Sequence, residues 1–249
     1  MTIEDEQDLA GLLRIGRIVG LTLRHMQAAV QPGMTTAELD EIGAAFLRAH
    51  GARSAPILAY NYPGHTCISL NDEAAHAIPG PRVIQPGDLI NIDVSAELDG
   101  YWADTGASMP VPPVDPARQR LCDYTLEALQ AAIGAARAGE PMNAIGRAVE
   151  AVARRGGYHV IRELGGHGVG RHLHEYPRSI PHYFERRAAR KLTAGMVITL
   201  EPFLTTGAIH VRTDPDGWTL RTTDGSLAAQ YEHTVIITDD APILVTAVD

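Results

Sequence analysis

Only two cysteines, Cys67 and Cys122, occur in 249 residues. They exclude a disulfide framework and a four-cysteine zinc site, and read as small buried apolar side chains. A reducing compartment, the cytoplasm, fits that usage. Basic charge is also short: 21 Lys and Arg face 30 Asp and Glu, a formal net charge of −9. No excess is left to neutralise a phosphate backbone or to hold a polybasic segment on an anionic bilayer. Neither nucleic acid nor a membrane surface is therefore an expected partner. No apolar run approaches the roughly 18 residues of a membrane span. The acidic residues 1–6 lead into no apolar signal core. Low-complexity linkers are missing as well. What remains is an ordinary globular composition, 45% apolar and 20% charged, long enough to bury a substantial core.

A helical pattern runs from about residue 4 to 29 through Leu9, Leu12, Leu13, Ile15, Ile18, Val19, Thr22 and Leu23, and stops at Gln31-Pro32-Gly33. Thr35-Thr36-Ala37-Glu38 predicts a capping box, opening a helix through Leu39, Ile42 and Phe46 to about Gly51. Residues 52–86 are rich in Pro, Tyr, Asn and Gly and read as loop and short strand. Residues 88–95 and 101–109 read as two strands around an Asp99-Gly100 turn. The order then repeats. Asp115-Pro116 predicts a helix through Leu121, Leu126, Leu129 and Ile133. Asn143 is expected to cap another, with Ile145, Val149 and Val152, closing at Gly156-Gly157. Strand-like segments follow at 196–204 and 231–238. The second helix of each half starts near 36 and 143, an offset of 107. Laying 86–93 on 194–201 matches Asp93 with Glu201, an offset of 108. This agreement predicts one domain, residues 1–249, of mixed α/β (α+β) class. Its two related helix–helix–strand halves span about 4–110 and 115–240.

With residues 97–100 taken as the hairpin loop, Asp93 stands directly opposite Asp104, their Cβ atoms about 4.5–5.5 Å apart. Two like charges so placed repel. Asp93 also lies in the apolar run Leu89-Ile90-Asn91-Ile92-Asp93-Val94, and no basic residue occurs between 89 and 109. A shared proton, a basic partner from elsewhere or a metal ion would each answer the repulsion. Two more carboxylates repeat the anomaly: Glu201 after the apolar Val197-Ile198-Thr199-Leu200, and Glu232 just before His233-Thr234-Val235-Ile236-Ile237. Four carboxylates beside buried strands suit two divalent ions. A transition metal asks in addition for a nitrogen ligand. Among 11 histidines, those in the run from Gly165-Gly166-His167-Gly168 to His172-Leu173-His174-Glu175 stand out. Their four neighbouring glycines disfavour a helix and let backbone approach another group closely. His167 and His174 are the candidates. His25, His50, His159, His182 and His210 carry no comparable argument, and His76 decides little alone.

Taken in order, a set of motifs resembles the methionine aminopeptidase pattern across nearly the whole chain. In the first half these are Cys67-Ile68-Ser69-Leu70-Asn71-Asp72-Glu73 with His76-Ala77-Ile78-Pro79, Gly87-Asp88-Leu89-Ile90-Asn91-Ile92-Asp93-Val94, and Asp99-Gly100-Tyr101 with Asp104-Thr105. In the second they are Gly166-His167-Gly168-Val169-Gly170 with His174-Glu175 and Pro177, Gly195-Met196 with Glu201-Pro202, and Ala229-Gln230-Tyr231-Glu232-His233-Thr234. The resemblance implies the pita-bread fold, two pseudo-twofold-related helix–helix–β halves around a central antiparallel sheet. It implies two divalent metal ions, with Mn, Co, Fe, Zn and Ni all compatible. Asp93 would chelate one, Asp104 and Glu232 would bridge the pair, and His167 and Glu201 would complete the shell of the other. His76 and His174 match substrate-contacting histidines, Glu201 a proton shuttle, and Tyr62, Cys67, Leu173 and Trp218 an apolar pocket for a thioether. The short interval from His174 to Glu201 resembles the type I enzymes.

The implied activity is hydrolytic removal of N-terminal methionine from peptides and nascent proteins with a small second residue, by a cytoplasmic monomer. Ala103, Gly106-Ala107-Ser108-Met109, Leu173 and Pro56 depart from the family pattern; they touch no implied ligand and bear on the pocket. Three rivals stand behind this expectation. One is a relative with altered preference for the N-terminal residue. Another is an X-Pro-specific peptidase; such enzymes carry a separate N-terminal domain, whereas helical sequence here begins near residue 4. The third is a non-catalytic peptide-binding module, against which the complete set of ligand types argues.

Overall fold

Side-chain caps open the first two helices where the sequence predicts them. In the computed structural model, which describes residues 1–248, Asp5 accepts from the Asp8 N–H to start α1 (Glu6–Ala29). A complete capping box of Thr35 and Glu38 starts α2 (Thr36–Ala49). The stretch expected as loop holds β1 (Arg53–Ser54) and a short helix, α3 (Ala55–Tyr60), which ends on Asn61 in the left-handed region at φ 55°. Strands β2 (Cys67–Leu70), β3 (Glu73–Ala75), β4 (Leu89–Leu98) and β5 (Tyr101–Pro110) complete the first half.

The second half opens with α4 (Pro116–Ala135), capped by Asp115 with Pro116 at its start, followed by α5 (Asn143–Gly156). Gly157, left-handed at φ 77°, closes α5 as expected. Its opening differs from expectation. Asn143 is already helical and buried, and Met142 occupies the cap without a side-chain hydrogen bond. Backbone carbonyls of Arg190 and Ala188 take the Met142 and Asn143 N–H groups instead, at 2.8 Å each. Strands β6 (His159–Val160), β7 (Gly165–Gly168), β8 (Glu175–Pro181), β9 (Val197–Leu200) and β10 (Phe203–Thr205) follow. Then come β11 (Val211–Thr213), β12 (Leu220–Thr222), β13 (Ala228–Gln230), β14 (His233–Ile236) and β15 (Ile243–Leu244). The single strand expected at 196–204 is two, split at Glu201-Pro202, where proline has no N–H for a ladder.

Pairing places β4 between β5 on one side and β1 and β2 on the other, all antiparallel. In the other large sheet β9 lies between β14 and β7, with β15 and β8 outermost. Each middle strand delivers a carboxylate: Asp93 within β4, Glu201 directly after β9. Apolar side chains of α1 and α2, among them Leu12, Ile15, Val19, Met26, Leu39 and Leu47, pack with Ile90, Ile92 and Val94 of β4. Leu121, Leu129, Ile145 and Val149 of α4 and α5 pack with Ile198, Leu200 and Val235. A bridge between Ala107 and Tyr231 sets β5 beside the lead-in to β14. The Thr105 hydroxyl donates to the Glu232 carbonyl (2.6 Å), and the Glu232 N–H donates to the Gly106 carbonyl (2.8 Å).

The β4–β5 hairpin corrects one expectation. Its turn has two residues, not four: Asp99 (φ 53°) and Gly100 (φ 82°) both take the left-handed conformation of a primed turn. Glu97, expected in the loop, stays paired in β4. Its carboxylate accepts from the Gly100 N–H and from Arg53, each at 2.7 Å. Asp93 therefore pairs with Gly106, and Asp104 with Ser95. The two aspartates share one face as diagonal neighbours rather than direct partners.

Candidate metal centre

Asp104 on β5 is clamped by the second half. Its N–H donates to Thr234 Oγ1 (2.9 Å), and that hydroxyl donates back to the Asp104 carbonyl (2.7 Å). His167 on β7 enters from another strand, its N–H on Thr199 Oγ1 at 3.1 Å. Its Nδ1 lies 3.0 Å from the Gly168 carbonyl, which can only accept, so the ring proton sits on Nδ1. Nε2 then presents a lone pair 3.4 Å from Glu201 Oε1 and 3.8 Å from Asp104 Oδ2. That is the tautomer a metal-ligating histidine uses. Thr199 also donates to Glu201 Oε1 at 2.9 Å, and Gln230 Nε2 donates to Glu232 Oε2 at 2.9 Å. Ligand atoms of Asp104, His167 and Glu232 lie within 4.8 Å of one another, all three residues buried.

Two buried oxygens of this cluster, Asp104 Oδ1 and Glu232 Oε1, have no hydrogen-bond partner. Orphaned carboxylate oxygens are costly in a protein interior unless a cation meets them. The titration behaviour points the same way. Desolvation pushes Asp93 up to about 6. It raises Asp104, Glu201 and Glu232 well above the carboxylate range, and their mutual repulsion adds to it. Burial, helped by neighbouring His174, drives His167 down to about 3, so its ring is neutral. An acceptor-only nitrogen among carboxylates that repel one another is a donor set suited to divalent cations.

A pH prediction follows for protein stripped by a chelator. Below about pH 4 folded and unfolded chains both hold the carboxyl protons, and these four carboxyls cost nothing extra. As pH rises, the unfolded carboxyls ionise freely while the folded ones are held protonated, so stability drains away toward and beyond pH 6. The melting temperature of stripped protein should fall more steeply between pH 5 and 7 than that of cation-loaded protein. Parallel curves would contradict the shared repulsion.

The cluster opens on a cavity of about 390 Å³. Asp93, Asp104, His167 and Glu201 line it, as do His76, His174, Tyr62, Cys67, Leu173 and Trp218. Every pocket residue implied by the sequence resemblance thus faces one space, and Glu232 joins the cluster from its buried side. Tyr62 and Trp218 meet edge to face, ring centroids 5.1 Å apart. The Tyr62 hydroxyl donates to the Ala77 carbonyl (2.8 Å), fixing the segment that carries His76, itself left-handed at φ 56°.

Sequence reasoning missed several supporting residues. Thr199 and Gln230 each stand two positions before a cluster glutamate on extended backbone, a spacing that puts both side chains on one face and was open to detection. Fully buried His182, for which the sequence carries no argument, sits between the Gly166 and Glu201 N–H groups, 3.1 Å from each. No local pattern announces it. Gly106, one of the departures from the family pattern, has a local cause. A Cβ there would come within 2.3 Å of Gln230 Oε1, the atom that accepts from Asn91 Nδ2 at 2.8 Å. The glycine leaves Gln230 room to reach Glu232. Tyr60, at the end of α3, places its hydroxyl 2.7 Å from His174 Nδ1.

A buried carboxylate–imidazole cluster at the edge of an apolar cavity is the apparatus of a metal-dependent hydrolase. Comparison with known proteins narrows the class. The pattern of metallopeptidase family M24 matches residues 10–239. Methionine aminopeptidase 2 of Bacillus subtilis is 46% identical over 247 residues, covering 99% of each chain. The crystal structure of methionine aminopeptidase from Rickettsia prowazekii matches with a TM-score of 0.94 at 34% identity, over 99% of this chain and 100% of that one. A prolidase from Pyrococcus furiosus matches with a TM-score of 0.77 at 21% identity, which shows the fold alone; this chain covers 66% of it. The chain belongs to metallopeptidase family M24. Its fold is the pita-bread fold expected from the sequence, and the resemblance to the methionine aminopeptidases is borne out along its length.

Proposed function

We propose that this enzyme hydrolyses the N-terminal methionine from peptides and new proteins whose second residue is small, using two divalent ions. The observation that carries the reading is the convergence of four carboxylates and His167, with two orphaned buried oxygens, on the wall of a soft apolar cavity. Full-length similarity to proteins named methionine aminopeptidase supports it. Asp93 would chelate one ion, Asp104 and Glu232 would bridge, and His167 and Glu201 would complete the second. Mn, Co, Fe, Zn and Ni all suit such a mixed set. When bound, the ions supply Lewis acidity and lower the pKa of the attacking water.

The chain's own groups do the rest. Glu201, with one oxygen tied by Thr199, takes a proton and returns it to the leaving amine. His174 donates to the oxyanion that develops at the scissile carbonyl, and His76 holds the scissile amide. Tyr62, Cys67, Leu173 and Trp218 enclose the thioether, for which a polarizable apolar surface is well matched. Residues 1–249 act as one catalytic domain with halves of about 4–110 and 115–240, working as a cytoplasmic monomer. Among the described residues no helix is long and apolar enough to cross a membrane.

One observation favours a variant of this reading. Leu173 and Pro56, both departures from the family pattern, line the cavity. They favour the same reaction with tolerance for apolar residues besides methionine. Release of free amino acid from X-Ala-Ser peptides, assayed beside X-Pro substrates, tests both. Met-Ala-Ser should be cleaved fastest, with other unbranched apolar residues within about 10–200-fold, since one methylene in an apolar pocket changes specificity by about that much. Preference for X-Pro, or no cleavage of Met-Ala-Ser, would contradict the assignment.

A further inference from the structure

We propose that Tyr60 is a positioning residue that sets the tautomer of His174, a role that rests on the function proposed above. Its hydroxyl lies 2.7 Å from His174 Nδ1, and the rings are tilted by 56° with centroids 5.5 Å apart. An imidazole at neutral pH carries one proton, on either nitrogen. If the phenol donates to Nδ1, the ring proton sits on Nε2, where it is free to stabilise an oxyanion. If Nδ1–H donates to the phenol oxygen instead, Nε2 is a bare acceptor and repels one.

The geometry and chemistry of the pair select the first arrangement. The hydroxyl and Nδ1 lie within the distance of a single hydrogen bond, 2.7 Å, so one of the two donates to the other. The phenol keeps its proton, because partial burial raises the Tyr60 pKa, and that hydroxyl has no other partner among the described residues. The His174 ring also lies against His167, centroids 4.0 Å apart, beside the carboxylate cluster.

The backbone around Tyr60 is built to hold this contact. Asn61 N–H donates to the Ile57 carbonyl at 3.0 Å and Tyr62 N–H to the Pro56 carbonyl at 3.3 Å, locking both residues that follow. The Tyr62 side chain then anchors the segment through the Ala77 carbonyl. The Tyr60 ring, 47% exposed, is fixed by its neighbours and not by burial, so its hydroxyl can be removed without loss of core.

The test is Tyr60→Phe, read in two ways on zinc-loaded protein. Long-range proton–nitrogen NMR reports which nitrogen of each histidine carries the proton, and His174→Gln identifies the His174 signals by their loss. Wild type should show Nε2 protonated and Nδ1 bare, and Tyr60→Phe should shift His174 toward a mixture of tautomers. In Met-Ala-Ser hydrolysis kcat should fall about 2- to 10-fold, the range of one neutral hydrogen bond, with KM little changed. A wild-type ring protonated on Nδ1, or a tautomer identical in both proteins, would overturn the proposal. The NMR readout needs no substrate. A wild type inert toward Met-Ala-Ser would therefore sink the assigned reaction and leave the tautomer question to be decided on its own.

Discussion

Glu201→Gln should lower turnover of Met-Ala-Ser by about 10²–10⁴-fold, the span of one lost general acid–base group, with the fold intact. The substitution keeps the side chain's volume and its oxygen for Thr199 Oγ1, and does not touch the Glu201 N–H beside His182. It removes the charge and the capacity to take up a proton and give it back. It also removes one of four mutually repelling carboxyls. Stripped of cations, the variant should therefore melt higher than stripped wild type at pH 7, even as it loses activity. That opposite movement separates a lost chemical group from a damaged fold. Methionine release and circular dichroism measured on the same samples supply both halves. Turnover close to wild type would remove Glu201 from the mechanism.

Chelation should abolish activity, and Mn, Co or Fe should restore it. Each ion would meet oxygens that no protein donor satisfies, Asp104 Oδ1 and Glu232 Oε1 among them, and displace protons that the buried carboxyls hold above their usual range. Binding should therefore release protons and strengthen as pH rises from 6 to 8. It should also raise the melting temperature with cation concentration, because the unfolded chain has no such site. Undiminished hydrolysis by rigorously metal-free protein would refute the reading.

Much of this is legible in the sequence, because it is local chemistry. Thr35 with Glu38, Asp115 with Pro116, and Gly157 announce helix ends through side chains and backbone conformations within a few residues. The overlay of Asp93 on Glu201 found the carboxylates delivered by the two middle strands. What the sequence hid depends on turns and on distant partners. The hairpin register hung on whether Glu97 left its strand, and its carboxylate is held there by Arg53, 44 positions away, as well as by the nearby Gly100 N–H. Tyr60 lies in a stretch whose Pro, Asn and Gly content reads as loop, so the short helix α3 that aims it had no periodic signature. His182 acts through a fold-level approach of β9 to the segment after β8.

The account stands or falls on cations at one place. Crystals grown with Mn and measured by anomalous diffraction test it most directly. Two peaks are predicted in the cavity wall, both in contact with Asp104 and Glu232, with Asp93 on one and His167 Nε2 and Glu201 on the other. An empty cluster at saturating cation, or manganese bound only elsewhere on the surface, would contradict it.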